Sequence, residues 1–262
     1  MILVSYQGRL GNNLFQYCLG RIVAEKLGYA LFASPIPGFR NTGAPVPGLK
    51  VQPCQSFDNP HRIDMSSLDT LKGKSGVRLE GYYQRYEYYR NHKYSIKEWL
   101  QTEPFREFEI HADDVVLHLR RTDRLDNTRI YSTYQGSLRG STDLLCFDWY
   151  EKILNSINFR RLYICSNVPG DPFIRNFDRF EPVFFHKSPI EDFIFIKSFN
   201  NIISSISTFS WWASFLSNAT TIFMPQPNYG CWGDVLNIDL KIDDESRYVN
   251  IPTSIEPSYT YF

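Results

Sequence analysis

Short apolar runs that end in polar turns, followed by apolar residues at helical spacing, recur along this chain, and that alternation restricts the fold more than any other feature. Residues 2–6 read as a strand and the turn from Gln7 to Asn13 follows. Leu14, Phe15, Cys18, Leu19, Ile22, Val23 and Leu27 then line one helical face, with Gly28 as the stop. Residues 29–33 predict the next strand, so the chain opens as a β-α-β unit. The second half repeats the pattern. Arg161 to Ser166 and Pro182 to Phe185 read as strands, and Ser188-Pro189-Ile190-Glu191 joins a capping box to a proline at the first helical position, predicting a helix to about Phe199. Asn201 to Ser207 is a further strand, Trp211, Trp212, Phe215 and Leu216 mark a short helix, and residues 220–224 close as a strand. Strands alternating with helices predict a parallel sheet. Residues 34–76 are rich in Pro, Gly, Ser and Asn and show no period. The polar stretch 101–112 is the expected boundary between two lobes.

Charge narrows the choice of partner. Twenty-eight Lys and Arg balance 28 Asp and Glu, which argues against nucleic acid as the principal partner. The five cysteines, Cys18, Cys54, Cys146, Cys165 and Cys231, form no C-x-x-C pair, and their odd number argues against a closed disulfide framework. No basic leader precedes the first strand and no apolar run reaches about 18 residues. A cytoplasmic location follows as the expectation, with peripheral contact at the inner face of a membrane left open.

The apolar run Val115 to Leu119 delivers Arg120 and Arg121 onto its polar end, with Arg124 and Arg129 behind. Paired guanidiniums at the end of a strand suit phosphate oxygens. The alternative is a solvated basic loop neutralised by Asp123 and Asp126. Ser204 to Ser210 places several hydroxyls at a strand-to-helix junction, where they either bind an anion or simply cap the helix through Thr208 or Ser210. The turn from Gln7 to Asn13 adds glycines for close approach, and Asn12 and Asn13 for sugar hydroxyls or phosphate, but it is not the G-x-G-x-x-G fingerprint. There is no D-x-D triplet, no Walker lysine loop and no His pair at metal-binding spacing, so a phosphorylated ligand would rely on arginines and helix N-termini, which favours metal-independent chemistry. The aromatic run from Leu79 to Tyr89, with Tyr82 and Tyr83 at its centre, suits either sugar stacking or packing at a lobe interface.

These residues resemble a known family. His118-Leu119-Arg120-Arg121-Thr122-Asp123 is similar to the H-x-R-R-x-D motif of the α-1,2-fucosyltransferases, glycosyltransferase family 11. Gly8 to Tyr17 resembles its G-x-L-G-N-x-x-F-Q-Y, Gly81 to Gln84 its G-Y-[FY]-Q, and Ser207 to Ala213 its S-[ST]-F-S-W-W. The four matches keep the family's order from residue 8 to about 225.

The resemblance implies a GT-B-like α/β fold of two Rossmann-like lobes facing across a cleft: residues 1–105 an acceptor-side lobe, residues 106–262 a lobe binding the GDP-sugar. It implies inverting, metal-independent transfer of L-fucose from GDP-β-L-fucose to the 2-hydroxyl of a galactose-type glycan acceptor, with no cofactor. On that reading Arg120 stabilises the leaving GDP. Asn12, Asn13, His118, Arg121, Ser166, Ser207, Thr208, Phe209 and Ser210 bind donor, and Tyr82 and Tyr83 bind acceptor. Asp123 is either the general base or an orienting carboxylate, and His118 is either an orienting group for Arg120 or structural. The competing classes are an inverting transferase for another nucleotide sugar and a glycan-binding protein without catalysis.

Overall fold

The structure, a computed structural model, describes residues 1–43, 55–56, 63–73, 76–121, 145–168, 170–227 and 238–253. The chain divides into two compact units, one of Met1–Glu103 with Trp232–Leu240 and one of Pro104–Cys231 with Lys241–Phe262.

The first unit is built on four parallel strands, β1 (Ile2–Val4), β2 (Leu31–Phe32), β3 (Gln55–Ser56) and β4 (Val77–Leu79), in the order β2-β1-β4-β3. Helix α1 (Leu10–Leu27) buries Leu14, Phe15, Cys18, Leu19, Ile22, Val23 and Leu27, the face read from the sequence. Gly28, at φ 68, ends it in the left-handed conformation that glycine tolerates best. Helix α2 (Lys93–Trp99) buries Ile96 and Trp99. Where the sequence showed no period, within residues 34–76, the structure has β3 and a 3₁₀ turn at Ser67–Leu71. β4 occupies Val77–Leu79 and ends on the first residue of the aromatic run. Strands of two or three residues are too short to show a period of two, so their partners decide them. The return segment closes the unit: Tyr86 donates its N–H to the Asp239 carbonyl at 2.7 Å, and Asp239 donates to the Gln84 carbonyl at 2.9 Å.

The second unit is a six-stranded parallel sheet of β5 (Asp114–His118), β6 (Arg161–Cys165), β7 (Val183–Phe185), β8 (Asn201–Ile203), β9 (Thr221–Pro227) and β10 (Tyr248–Thr253). Their order is β10-β9-β8-β5-β6-β7. Every residue of β5 is buried, as in a strand covered on both faces. Helices α3 (Phe147–Ser156), α4 (Pro189–Lys197) and α5 (Thr208–Leu216) connect the strands. The capping box at Ser188 and Glu191 forms as read, with Pro189 in the first turn. α3 and β10 were not read from the sequence.

The strand order decides where a ligand can sit. From β5 the chain builds outward through β6 and β7, then returns to the other side of β5 with β8 and builds outward through β9 and β10. The two halves part between β5 and β8, and in open α/β sheets the crevice outside the carboxyl ends at such a point holds the ligand. β1 and β4 form the corresponding point in the first unit. β5 is fixed at its amino end by Asp114, which takes two hydrogen bonds from Arg160, at 2.9 and 2.8 Å, and one from the His111 N–H at 2.9 Å. Its carboxyl end is thereby delivered in a set register.

Candidate active site

The ends of β5 and β8 meet through side chains. His118, the last residue of β5, shares a 2.7 Å hydrogen bond through Nδ1 with Ser205 Oγ, just past β8. Arg120, two residues further, donates from Nη1 to Ser207 Oγ at 3.2 Å. Ser207 is the N-cap of α5 and also accepts the Phe209 N–H at 3.3 Å. One hydroxyl therefore ties the helix start to a half-buried guanidinium, and the N–H groups of a helix start reinforce positive charge. The cap of this hydroxyl run is Ser207, one residue ahead of Thr208 and three ahead of Ser210, the two caps read from the sequence.

Burial depresses the His118 imidazole to about 3, with the Arg120 charge adding to the effect. His118 is neutral at physiological pH, a hydrogen-bonding post beside Phe209, whose ring centroid lies 5.4 Å away. Ser204 and Ser210 are fully buried and bonded to each other at 2.9 Å. Ser210 also bonds to the carbonyls of Ser205 and Ser207. Its hydroxyl shapes the turn from inside. Thr208 is buried and Phe209 half-buried at the same helix start. The adjoining tryptophans are core: Trp211 stacks on Phe215 at 5.0 Å and Trp212 meets the same ring edge-on at 5.4 Å. Ser166, at the end of β6, is buried and accepts the Val168 N–H at 3.3 Å, turning the chain.

The two adjacent arginines have different fates. Arg121 is 5% exposed. Its Nε donates to Asp171, and its guanidinium lies 3.9 Å from the Phe173 ring centroid. Asp171 in turn caps the 3₁₀ helix Pro172–Phe180 by accepting the Phe173 N–H at 2.9 Å. Sequence reasoning assigned Arg121 beside Arg120 and missed Asp171. The Asp171-Pro172 pair carried a signal, since a capping residue followed by proline marks a helix start. Ser205 lay within the hydroxyl run read from the sequence, but its pairing with His118 was not read.

In the first unit, two motifs far apart in sequence are bonded together. Gln16 is 1% exposed. Its Nε2 donates to the Gly81 carbonyl at 2.9 Å and its Oε1 accepts the Gln7 N–H at 3.0 Å. Gln84 Nε2 donates to Asn12 Oδ1 at 3.0 Å. The Tyr89 hydroxyl bridges the carbonyls of Phe15 and Tyr83. Asn12 and Asn13 sit half-buried in the first turns of α1. Tyr83 is 1% exposed and held at φ 52, so its ring belongs to the core, whereas Tyr82 is half-buried.

Asp123, Thr122, Asp126, Arg124 and Arg129 lie outside the described residues. Among the described residues, no group of three or more His, Cys, Asp or Glu side chains could hold a metal ion, and no helix is long and apolar enough to cross a membrane.

Two α/β units, each built on a parallel sheet, give the chain a GT-B-like α/β fold. A crystal structure of the NodZ α-1,6-fucosyltransferase soaked with GDP-fucose has this fold, with a TM-score of 0.51 at 11% identity, covering 84% of this chain and 93% of that one. A crystal structure of POFUT1 in its apo form gives a TM-score of 0.36 at 10% identity over 58% of this chain and 56% of that one. Among curated proteins nothing matches.

Residues 174–231, the segment that carries α4, β8, α5 and the hydroxyl turn, match the model of glycosyl transferase family 11.

Proposed function

We propose that the protein is an inverting fucosyltransferase that moves L-fucose from GDP-β-L-fucose to the 2-hydroxyl of a galactose-type residue in a glycan, without a metal ion or other cofactor. The observation that carries this reading is the Arg120–Ser207 pair bridging the switch point of the second unit. As the glycosidic bond breaks, negative charge grows on the departing diphosphate, and a preorganised guanidinium beside a helix start stabilises that charge most where it develops. Ser207, Thr208 and Phe209 offer the hydroxyls and backbone of α5 to the diphosphate. His118 and Arg121 keep the end of β5 and the chain beyond it in register, and Ser166 and Ser210 hold the neighbouring turns. Asn12 and Asn13 contribute neutral donors and acceptors to sugar hydroxyls, with Tyr82 beside the acceptor. Asp123 is the carboxylate assigned to deprotonate the acceptor hydroxyl, a role that requires hydrogen-bond reach to it. NodZ is described as an α-1,6-fucosyltransferase, and the α-1,2 linkage proposed here follows the motif resemblance.

The test is a transfer assay in excess EDTA with GDP-fucose, GDP-mannose and UDP-galactose as donors, followed by NMR linkage analysis of the product. An α-fucoside at O2 of galactose, formed from GDP-fucose alone, is expected. Activity that disappears on chelation and returns with magnesium would overturn the metal-free step. A β-anomer or another linkage position would overturn the assigned product.

A further inference from the structure

Just past β7 a histidine and a buried carboxylate form a pair that the site described above does not use. His186, the residue after β7, bonds through Nδ1 to Asp192 Oδ2 at 2.7 Å. Asp192, in the first turn of α4, is 6% exposed, and its other oxygen accepts the Lys187 N–H at 2.8 Å. The capping box holds the intervening turn: the Ser188 carbonyl accepts the Asp192 N–H at 2.9 Å, and the Ser188 N–H donates to Glu191 at 3.1 Å. A carboxylate only accepts hydrogen bonds, so the ring proton of an uncharged His186 stands on Nδ1 and the lone pair is left on Nε2. The residue is exposed, and no described residue bonds to Nε2. An imidazole fixed in this way is a directed acceptor for an N–H group.

Register fixes where that acceptor stands. His118, Cys165 and Phe185 pair in a row across β5, β6 and β7, so Leu119, Ser166 and His186 follow them at the carboxyl ends. Adjacent strands lie about 4.8 Å apart, which puts the backbone at His186 about 10 Å from that of β5, on the side away from β8. In nucleotide-binding sheets of this kind the diphosphate lies at the switch point and the nucleoside extends along the carboxyl edge. A nucleotide whose phosphates meet Arg120 and Ser207 covers that span across the end of β6.

On the GDP-sugar reading above, on which this inference rests, we propose that His186, fixed by Asp192, recognises the guanine base of the bound nucleotide, with Nε2 accepting from the N–H groups of its Watson–Crick edge. Charge is then met at the end of β5 and the identity of the base at the end of β7.

Calorimetry with GDP and with inorganic pyrophosphate separates the base from the phosphates. His186→Ala is expected to weaken GDP binding about tenfold, the worth of one hydrogen bond, and to leave pyrophosphate binding unchanged. Asp192→Asn should do the same by another route. The Lys187 N–H keeps the amide oxygen on its side, so the amide nitrogen faces His186 Nδ1 and moves the ring proton to Nε2, which turns the acceptor into a donor. Imidazole nitrogen resonances, with those of His186 identified by their loss in His186→Ala, should show the proton on Nδ1 in the wild type and on Nε2 in Asp192→Asn. A wild-type proton on Nε2 would overturn the proposal. GDP affinity that stays at the wild-type level in both variants, or pyrophosphate affinity that falls along with it, would overturn the role of His186 and leave the transfer reading standing. A wild type that binds ADP or UDP as tightly as GDP would overturn the guanine assignment, and one that binds no GDP would overturn the transfer reading as well.

Discussion

The crevices at the carboxyl ends of β1 and β5 share a topology and differ in chemistry. Each lies where a parallel sheet parts, with a turn and a helix start on one side and a neighbouring strand's loop on the other. In the first unit the contacts that hold the crevice are made by amides, Gln16 to Gly81 and Gln84 to Asn12. In the second they are made by guanidiniums, a carboxylate and hydroxyls, Arg121 to Asp171, Arg120 to Ser207 and His118 to Ser205. Amides fix orientation at little electrostatic cost and suit neutral hydroxyls. Guanidiniums hold charge in place before a ligand arrives and suit a diphosphate. On the proposed function, the same topology serves two kinds of recognition, and the side chains at the turns determine which.

The contrast is tested most severely at Asp171. Its side chain and that of Arg121 are 9% and 6% exposed, so Asp171→Ala leaves a buried guanidinium without its carboxylate and should cost about 3–5 kcal/mol in urea unfolding. Gln16→Ala, the comparable break in the first unit, removes neutral hydrogen bonds and should cost about 1–3 kcal/mol. Equal costs would erase the distinction between the units.

Arg120→Ala should lower transfer by about a hundredfold or more while the chain stays folded, and Arg120→Lys should restore only part, because an ammonium lacks the planar fork. Near wild-type turnover in a folded Arg120→Ala variant would remove Arg120 from the leaving-group role. Gly8→Ala strains the backbone at φ 78 and crowds Asn12. A stability loss of about 1–2 kcal/mol is expected, accompanied by weaker transfer if the Asn12 amide is displaced.

The gentlest test is pH. His118 is neutral in the folded state down to about 3, whereas the unfolded residue takes up a proton near 6.5. Between these values the unfolded state binds more protons, so this contribution to stability is complete above about 6.5 and declines as pH falls toward 3, by at most about 1.4 kcal/mol per pH unit. Urea unfolding of wild type and His118→Gln from pH 7 to 4 should show a shallower slope in the variant. Parallel slopes would mean that His118 is not buried as a neutral ring.

Much of the fold was legible because its signals are local. The α1 face, the Gly28 stop and the Ser188 capping box each depend on residues within a few positions of one another. The hydroxyl run at Ser204 to Ser210 was legible as a junction for the same reason. What escaped reading depends on distant partners. β3 and β4 consist of two and three residues and exist through their pairing. Asp171 lies 50 residues from Arg121, and Gln84 lies 72 from Asn12, so no spacing rule connects them.

The sequence by itself determined the alternation of strands and helices, and with it a parallel sheet, as well as the chemical types that stand at each turn. Tertiary structure decided what those types do. Arg120 and Arg121 are chemically identical, and nothing local separates them. Consecutive side chains leaving an extended strand point in opposite directions, so only one of the two could meet Asp171 and Phe173 in the interior, and the other was left at the hydroxyl cap of α5.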